Sequence, residues 1–161
     1  MSSSYGNKLP LNTLKPDAEP YQFGIVVAEW HHEITDALFT GANKTLLECG
    51  AQPHRIIKVA VPGSFELTAA ASFMSETNKY DAIICLGCVI QGETRHFEFI
   101  CNAVANGLTN LAINHQLPVI FGVLTTDTLE QAKERSGGKY GNKGIDAAMA
   151  AIQMAALKQS L

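Results

Sequence analysis

No run of this sequence stays apolar for the ~18 residues that a membrane span needs. No block of it is basic enough to hold nucleic acid or an anionic membrane as a main partner, since 12 Lys and Arg face 15 Asp and Glu for a net charge of −3. Neither a P-loop nor G-x-G-x-x-G occurs, which removes the common nucleotide motifs. Met1 to Pro10 lacks the basic start and apolar centre of a secretory signal, so a cytoplasmic location is expected. Cysteine is scarce, with Cys49, Cys85, Cys88 and Cys101 the four present. Cys85-Leu-Gly-Cys88 spells C-x-x-C, but in a strand an odd offset sends the two sulfurs to opposite faces, against a disulfide or a shared metal. His31 and His32 are adjacent and poorly placed to chelate one ion, and no His/Cys/carboxylate set has zinc spacing. No metal site is expected.

What is present is an alternation of apolar runs and helical periods. The 161 residues, 47% hydrophobic and 17% charged, suit one domain rather apolar for a small monomer, so part of its surface is expected to be covered by other subunits. Residues 1–21 read as a polar arm dotted by Pro10, Pro16 and Pro20, with weak strand character at Leu9–Leu14; residues 22–161 read as a single α/β domain. Phe23–Ala28, Arg55–Val61, Ala82–Ile90 and Pro118–Leu124 are the expected strands. Helices are expected from about Ile34 to Cys49, around Leu67, Ala70, Ala71 and Met74, and along a face of Phe97, Ile100, Cys101, Val104, Leu108 and Leu111. Asp127 and Glu130 have capping-box spacing and predict a short helix to about Arg135. Gly137, Gly138, Gly141 and Gly144 then break the chain before a last helix with Ile145, Ala148, Met149 and Ile152 on one face. This order predicts a doubly wound parallel sheet of four strands with helices on both faces.

In such a sheet the loops that follow the strands gather at one edge, where ligands bind. Four stretches converge there: Glu29-Trp30-His31, Pro62 to Glu66, Gly92 to His96, and Phe121 to Asp127. Trp30 is either a packing residue or a flat platform for a heteroaromatic ligand. Glu66 either stabilises a helix start or accepts hydrogen bonds from ligand hydroxyls. The turn Gln91 to His96 joins a buried strand to a helix, so its backbone N–H groups offer an anion cradle and His96 a side chain that titrates near neutrality. Read from the residues alone, it is equally a plain connection with a surface histidine. Arg135, in a Gly-rich basic segment, is either solvated or a bidentate partner for phosphate.

Taken together, VPGSFEL (61–67), GCVIQGETRHFEF (87–99), PVIFGVLTTDTLEQAKER (118–135) and GNKG (141–144) closely resemble lumazine synthase, from about residue 22 to 158. The resemblance implies a three-layer α/β/α sandwich with a flavodoxin-like parallel sheet. It implies the condensation of 5-amino-6-ribitylamino-uracil with 3,4-dihydroxy-2-butanone 4-phosphate in riboflavin biosynthesis, releasing phosphate and water, with no cofactor. By that resemblance Trp30 stacks on the pyrimidine, where many relatives carry Phe. His31 (in place of a common Asn), Ser64, Phe65, Glu66, Cys88, Val89 and Ile90 line the pyrimidine and ribityl site. Gly92, Glu93, Thr94 and Arg135 hold phosphate, His96 moves protons, and Phe121 and Lys143 close the site from a neighbouring subunit. Cys88 and Gln91 depart from common family choices, often Thr and Arg. A non-catalytic flavin- or lumazine-binding shell protein of the same fold is the alternative, which should have lost His96 or Arg135; both are present. A flavodoxin-like electron carrier lacks its phosphate loop after the first strand.

The same resemblance implies a homo-oligomer of pentamers, with the arm adding a strand to a neighbour's sheet and riboflavin synthase as a further partner. The short Gly137–Gly144 turn, without inserted residues, favours an icosahedral shell.

Overall fold

The structure, a computed structural model, describes residues 16–161. The strand expected at Leu9–Leu14, with the strand-adding arm, lies outside the described residues. Four parallel strands, β1 (Phe23–Ala28), β2 (Ile56–Val61), β3 (Ala82–Ile90) and β4 (Val119–Thr126), form one sheet in the order β2-β1-β3-β4. Five helices accompany them: α1 (His32–Glu48), α2 (Leu67–Ser75), α3 (His96–His115), α4 (Leu129–Arg135) and α5 (Lys143–Ser160).

The central strands are apolar on both sides because both sides are covered. Phe23, Ile25, Val27, Ile84, Leu86 and Cys88 face a cluster completed by α1 and α5. Val26, Ala28, Ile83 and Cys85 face a second cluster completed by α2 and α3. The result is a three-layer α/β/α sandwich, as the alternation of elements requires. Each fully buried Phe, Ile or Leu contributes roughly 1.5–3 kcal/mol. Cys85 and Cys88 lie in opposite clusters, so the C-x-x-C spelling has no chemical meaning here. Burial pushes their thiols up to about 12 and about 11, which makes both poor nucleophiles at neutral pH.

Several boundaries differ from the sequence expectation, each for a local reason. Pro53–Arg55 forms a 3-10 turn, so β2 starts at Ile56. Helix α1 begins two residues early, at His32, because His31 takes a left-handed backbone (φ 60°, ψ 46°) and turns the chain into it. The cap of α4 is Thr128, not Asp127: its Oγ1 accepts from the Gln131 N–H at 3.2 Å, and Gln131 Oε1 accepts from the Asp127 N–H at 2.9 Å. The Gly-rich segment is more ordered than a chain break. Ser136–Gly138 (β5) and Gly141–Asn142 (β6) pair antiparallel, and Gly144 already lies within α5.

Helix α5 buries three of the four residues expected on its inner face, Ala148, Met149 and Ile152, whereas Ile145 is exposed. Gly144, Ala147, Ala151 and Ala155 complete the buried stripe. Small residues select this stripe because α1 comes very close: a Cβ on Gly144 would collide with the carbonyl oxygen of Leu38. On α3, Val104, Leu108 and Leu111 are buried as expected, while Phe97, Ile100 and Cys101 are half-buried. Residues 17–21, grouped with the arm in the sequence, are tied to the domain. Ala18 is buried and its N–H donates to the Cys49 carbonyl at 2.8 Å, and the Tyr21 hydroxyl lies 2.8 Å from Gln159 Oε1 at the far end of the chain.

Candidate active site

All four strands run the same way, so their exits gather at one edge, and hydrogen bonds to backbone carbonyls stitch those exits together. The Trp30 N–H donates to the Pro62 carbonyl at 3.1 Å, joining the loops after β1 and β2. Ser64 Oγ donates to the Cys88 carbonyl at 3.5 Å, joining the loop after β2 to the end of β3. That approach requires Gly87, where a Cβ would come within 2.6 Å of Ser64 Oγ. The Gln91 N–H donates to the Thr126 carbonyl at 2.8 Å, joining the ends of β3 and β4. The edge is therefore a connected floor rather than four independent loops.

On this floor stand Trp30, 70% exposed, and Phe65, 56% exposed. Large aromatic side chains left this open at a sheet edge offer apolar area and a π-face to a planar ligand. Glu66 closes the 3-10 turn Ser64–Glu66 and swings its carboxylate towards Gly63, while Ser64 is buried beneath. Cys88 is buried in the end of β3, and Val89 and Ile90 are half-buried. Beyond them Gln91 to His96 are all exposed. His96 is the first residue of α3, with its N–H on Thr94 Oγ1 at 3.4 Å. The adjacent Arg95 is held by Glu98 at 3.1 Å. The N-terminal end of the long helix α3, beside an exposed Gly92-Glu93-Thr94 turn and an imidazole, suits an anion and a proton to be moved.

Not every expected residue joins this group. Phe121 lies within β4 rather than in its exit loop, level with Cys85 on the neighbouring strand and 43% exposed. Arg135 closes α4, which starts near the edge and runs about 9 Å away from its first residue. Arg135 donates to the Gln131 carbonyl at 3.0 Å and stacks at 4.8 Å on Tyr140, so its guanidinium is pre-ordered. Lys143 opens α5 and pairs with Asp146 at 2.7 Å. Phe121 within β4, Arg135 at the end of α4 and Lys143 at the start of α5 are thus a second group of expected residues, termed the second face.

The profile of the family described as 6,7-dimethyl-8-ribityllumazine synthase matches residues 20–159. The chain belongs to the 6,7-dimethyl-8-ribityllumazine synthase family. It is 52% identical to the 6,7-dimethyl-8-ribityllumazine synthase of Cytophaga hutchinsonii over 156 residues, covering 97% of this chain and 98% of that protein. It is 47% identical to that of Parabacteroides distasonis over 156 residues, covering 96% and 97%. With that of Porphyromonas gingivalis the identity is 50% over 144 residues, 89% of each chain.

Within this synthase fold, one residue that sequence reasoning passed over builds the second face. Asn142 caps α5 by accepting from the Gly144 N–H at 2.8 Å, and its amide donates to Ala37 at 2.8 Å and to Ser136 at 3.1 Å. One side chain thus ties the hairpin, α5 and α1 together. The signal was an Asn one residue before a helix, an N-cap pattern hidden among glycines.

His31 is the other residue whose surroundings matter. Burial lowers its imidazole from the ordinary 6.5, so it is neutral at pH 7. The unfolded chain takes up that proton more readily. The stability tied to His31 is therefore present above 6.5 and lost as the pH falls through the lowered value. No helix among the described residues is long and apolar enough to cross a membrane.

Proposed function

We propose that the chain is a 6,7-dimethyl-8-ribityllumazine synthase, condensing 5-amino-6-ribitylamino-uracil with 3,4-dihydroxy-2-butanone 4-phosphate and releasing phosphate and water. The observation that carries this reading is the stitched sheet edge. It presents an open aromatic platform at Trp30 and, at the ends of neighbouring strands, a carboxylate at Glu66 and an anion-binding turn ending in His96. The pyrimidine stacks on Trp30 and lies along Cys88, Val89 and Ile90. The ribityl chain runs beside Ser64, Phe65 and Glu66, whose carboxylate accepts from its hydroxyls. The phosphate sits over Gly92, Glu93 and Thr94.

The substrate amine is already a nucleophile, so proximity and orientation supply much of the acceleration. His96 takes a proton as the amine attacks the ketone, returns it as water leaves the carbinolamine, and assists the loss of phosphate and ring closure. His96→Ala is therefore expected to lower the initial rate of lumazine formation by about 10- to 100-fold and not to abolish it. An unchanged rate in the folded variant would remove His96 from the chemistry.

The second face completes the site of a neighbouring subunit, with Arg135 on the phosphate and Phe121 and Lys143 over the ring. The place of Phe121 within β4, level with Cys85 rather than with the strand exits, supports this, as does the exposure of Phe73, Phe99 and Ile113 on the outer helices. A head-to-tail ring, a pentamer, places each second face on the next first face, and the short β5–β6 hairpin suits further assembly into a shell. Co-refolding His96→Ala with Arg135→Ala subunits should then regenerate wild-type sites at about a quarter of interfaces. Mixing that yields only the average of the two parents would mean that each site lies within one chain. Riboflavin synthase, which consumes the product, and a cytoplasmic location follow from the same proposal.

A further inference from the structure

We infer that His31 is a positioning residue for Trp30: its left-handed backbone throws the indole out over the sheet edge, and its imidazole holds the indole there edge-on. This rests on the reading of Trp30 as the platform for the uracil substrate. The backbone around the indole is anchored on both sides. The Trp30 N–H is bound to Pro62, and the His31 carbonyl accepts from the N–H groups of Ile34 at 2.9 Å and Thr35 at 3.1 Å in the first turn of α1. Between these anchors the chain turns into α1, and His31 takes the turn at φ 60°, ψ 46°. Few side chains tolerate that conformation; glycine and asparagine do, and histidine is several-fold enriched in it.

The backbone requirement explains which residues can stand at position 31 but leaves the indole free to rotate. Trp30 is 70% exposed, so the floor beneath constrains its ring little. The imidazole of His31 meets it with ring centroids 6.3 Å apart and planes at 90°. An edge-to-face pair of this kind keeps one indole face uncovered, which is the face a planar substrate needs. The half-buried, neutral imidazole suits a packing partner better than a solvated hydrogen-bonding arm. Position 31 thus acts on the ring of the substrate through Trp30.

The test uses His31→Asn, which accepts the left-handed backbone and lacks the ring, with His31→Gly as a second variant of the same kind. Trp30 is the only tryptophan, so the tryptophan band of the near-ultraviolet circular dichroism reports its ordering alone. Both variants should fold and weaken this band. KM for 5-amino-6-ribitylamino-uracil should rise about 2- to 10-fold, with a smaller change in KM for the butanone phosphate. His31→Phe, which restores an aromatic edge, should recover part of the band. A full-strength band in folded His31→Asn would overturn the inference, whatever happens to KM. A weakened band with unchanged KM would instead sink the stacking role of Trp30, and with it the functional half of the inference.

Discussion

Gly144→Ala is expected to destabilise the protein by about 3 kcal/mol or more, and to lower its melting temperature by about 6–12 °C. The added methyl would strike the Leu38 carbonyl, a backbone atom in the middle of α1 that has no rotamer by which to yield. Either the two helices part, or the first turn of α5 unwinds and releases the Asn142 cap with its three hydrogen bonds. Both routes disturb the second face, since Lys143 and Arg135 hang on the same hairpin. Gly92→Ala is the control. Nothing lies within 4 Å of its added methyl, and its melting temperature should match the parent. Calorimetry of the two variants separates close packing from a general intolerance of glycine replacement. A wild-type melting temperature for Gly144→Ala would contradict the helix contact.

Arg135→Ala should produce the largest selective loss of activity, about 100- to 1,000-fold in kcat/KM for the butanone phosphate. A guanidinium already ordered on Tyr140 and Gln131 loses little freedom when it clasps a phosphate. Its removal should scarcely change the binding of a ribityl-lumazine analogue without phosphate. Arg135→Lys, which keeps the charge and loses the fork, should fall between the two. Isothermal calorimetry with both ligands checks the contrast. Equal losses for the two would make Arg135 a structural residue.

The layered fold was legible because strands buried on both faces read as unbroken apolar runs. Phe23–Ala28 and Ala82–Ile90 are observed where the runs placed them. The helix ends were less legible, for reasons seen at particular residues. His31 carries no conventional cap signal, yet its backbone conformation starts α1. On α5 Ala148, Met149 and Ile152 are buried where the period placed them, but it weights small residues lightly, so it passed over Gly144, Ala147, Ala151 and Ala155 and included the exposed Ile145. The glycines at 137–144 read as a break because their real tasks are tertiary: a positive φ at Gly137 and Gly141, and close helix contact at Gly144. For the candidate site, the topology explained why four distant loops meet. It could not reveal that Asn142 holds three elements at once.

The direct test of the central claim is to follow phosphate and lumazine together, from the two substrates, with and without the purified protein. Protein-dependent initial rates above the spontaneous reaction are expected, with one phosphate released per lumazine formed. Tight binding of ribityl-lumazine without any protein-dependent phosphate would contradict it, and would leave a protein that holds the product but does not make it.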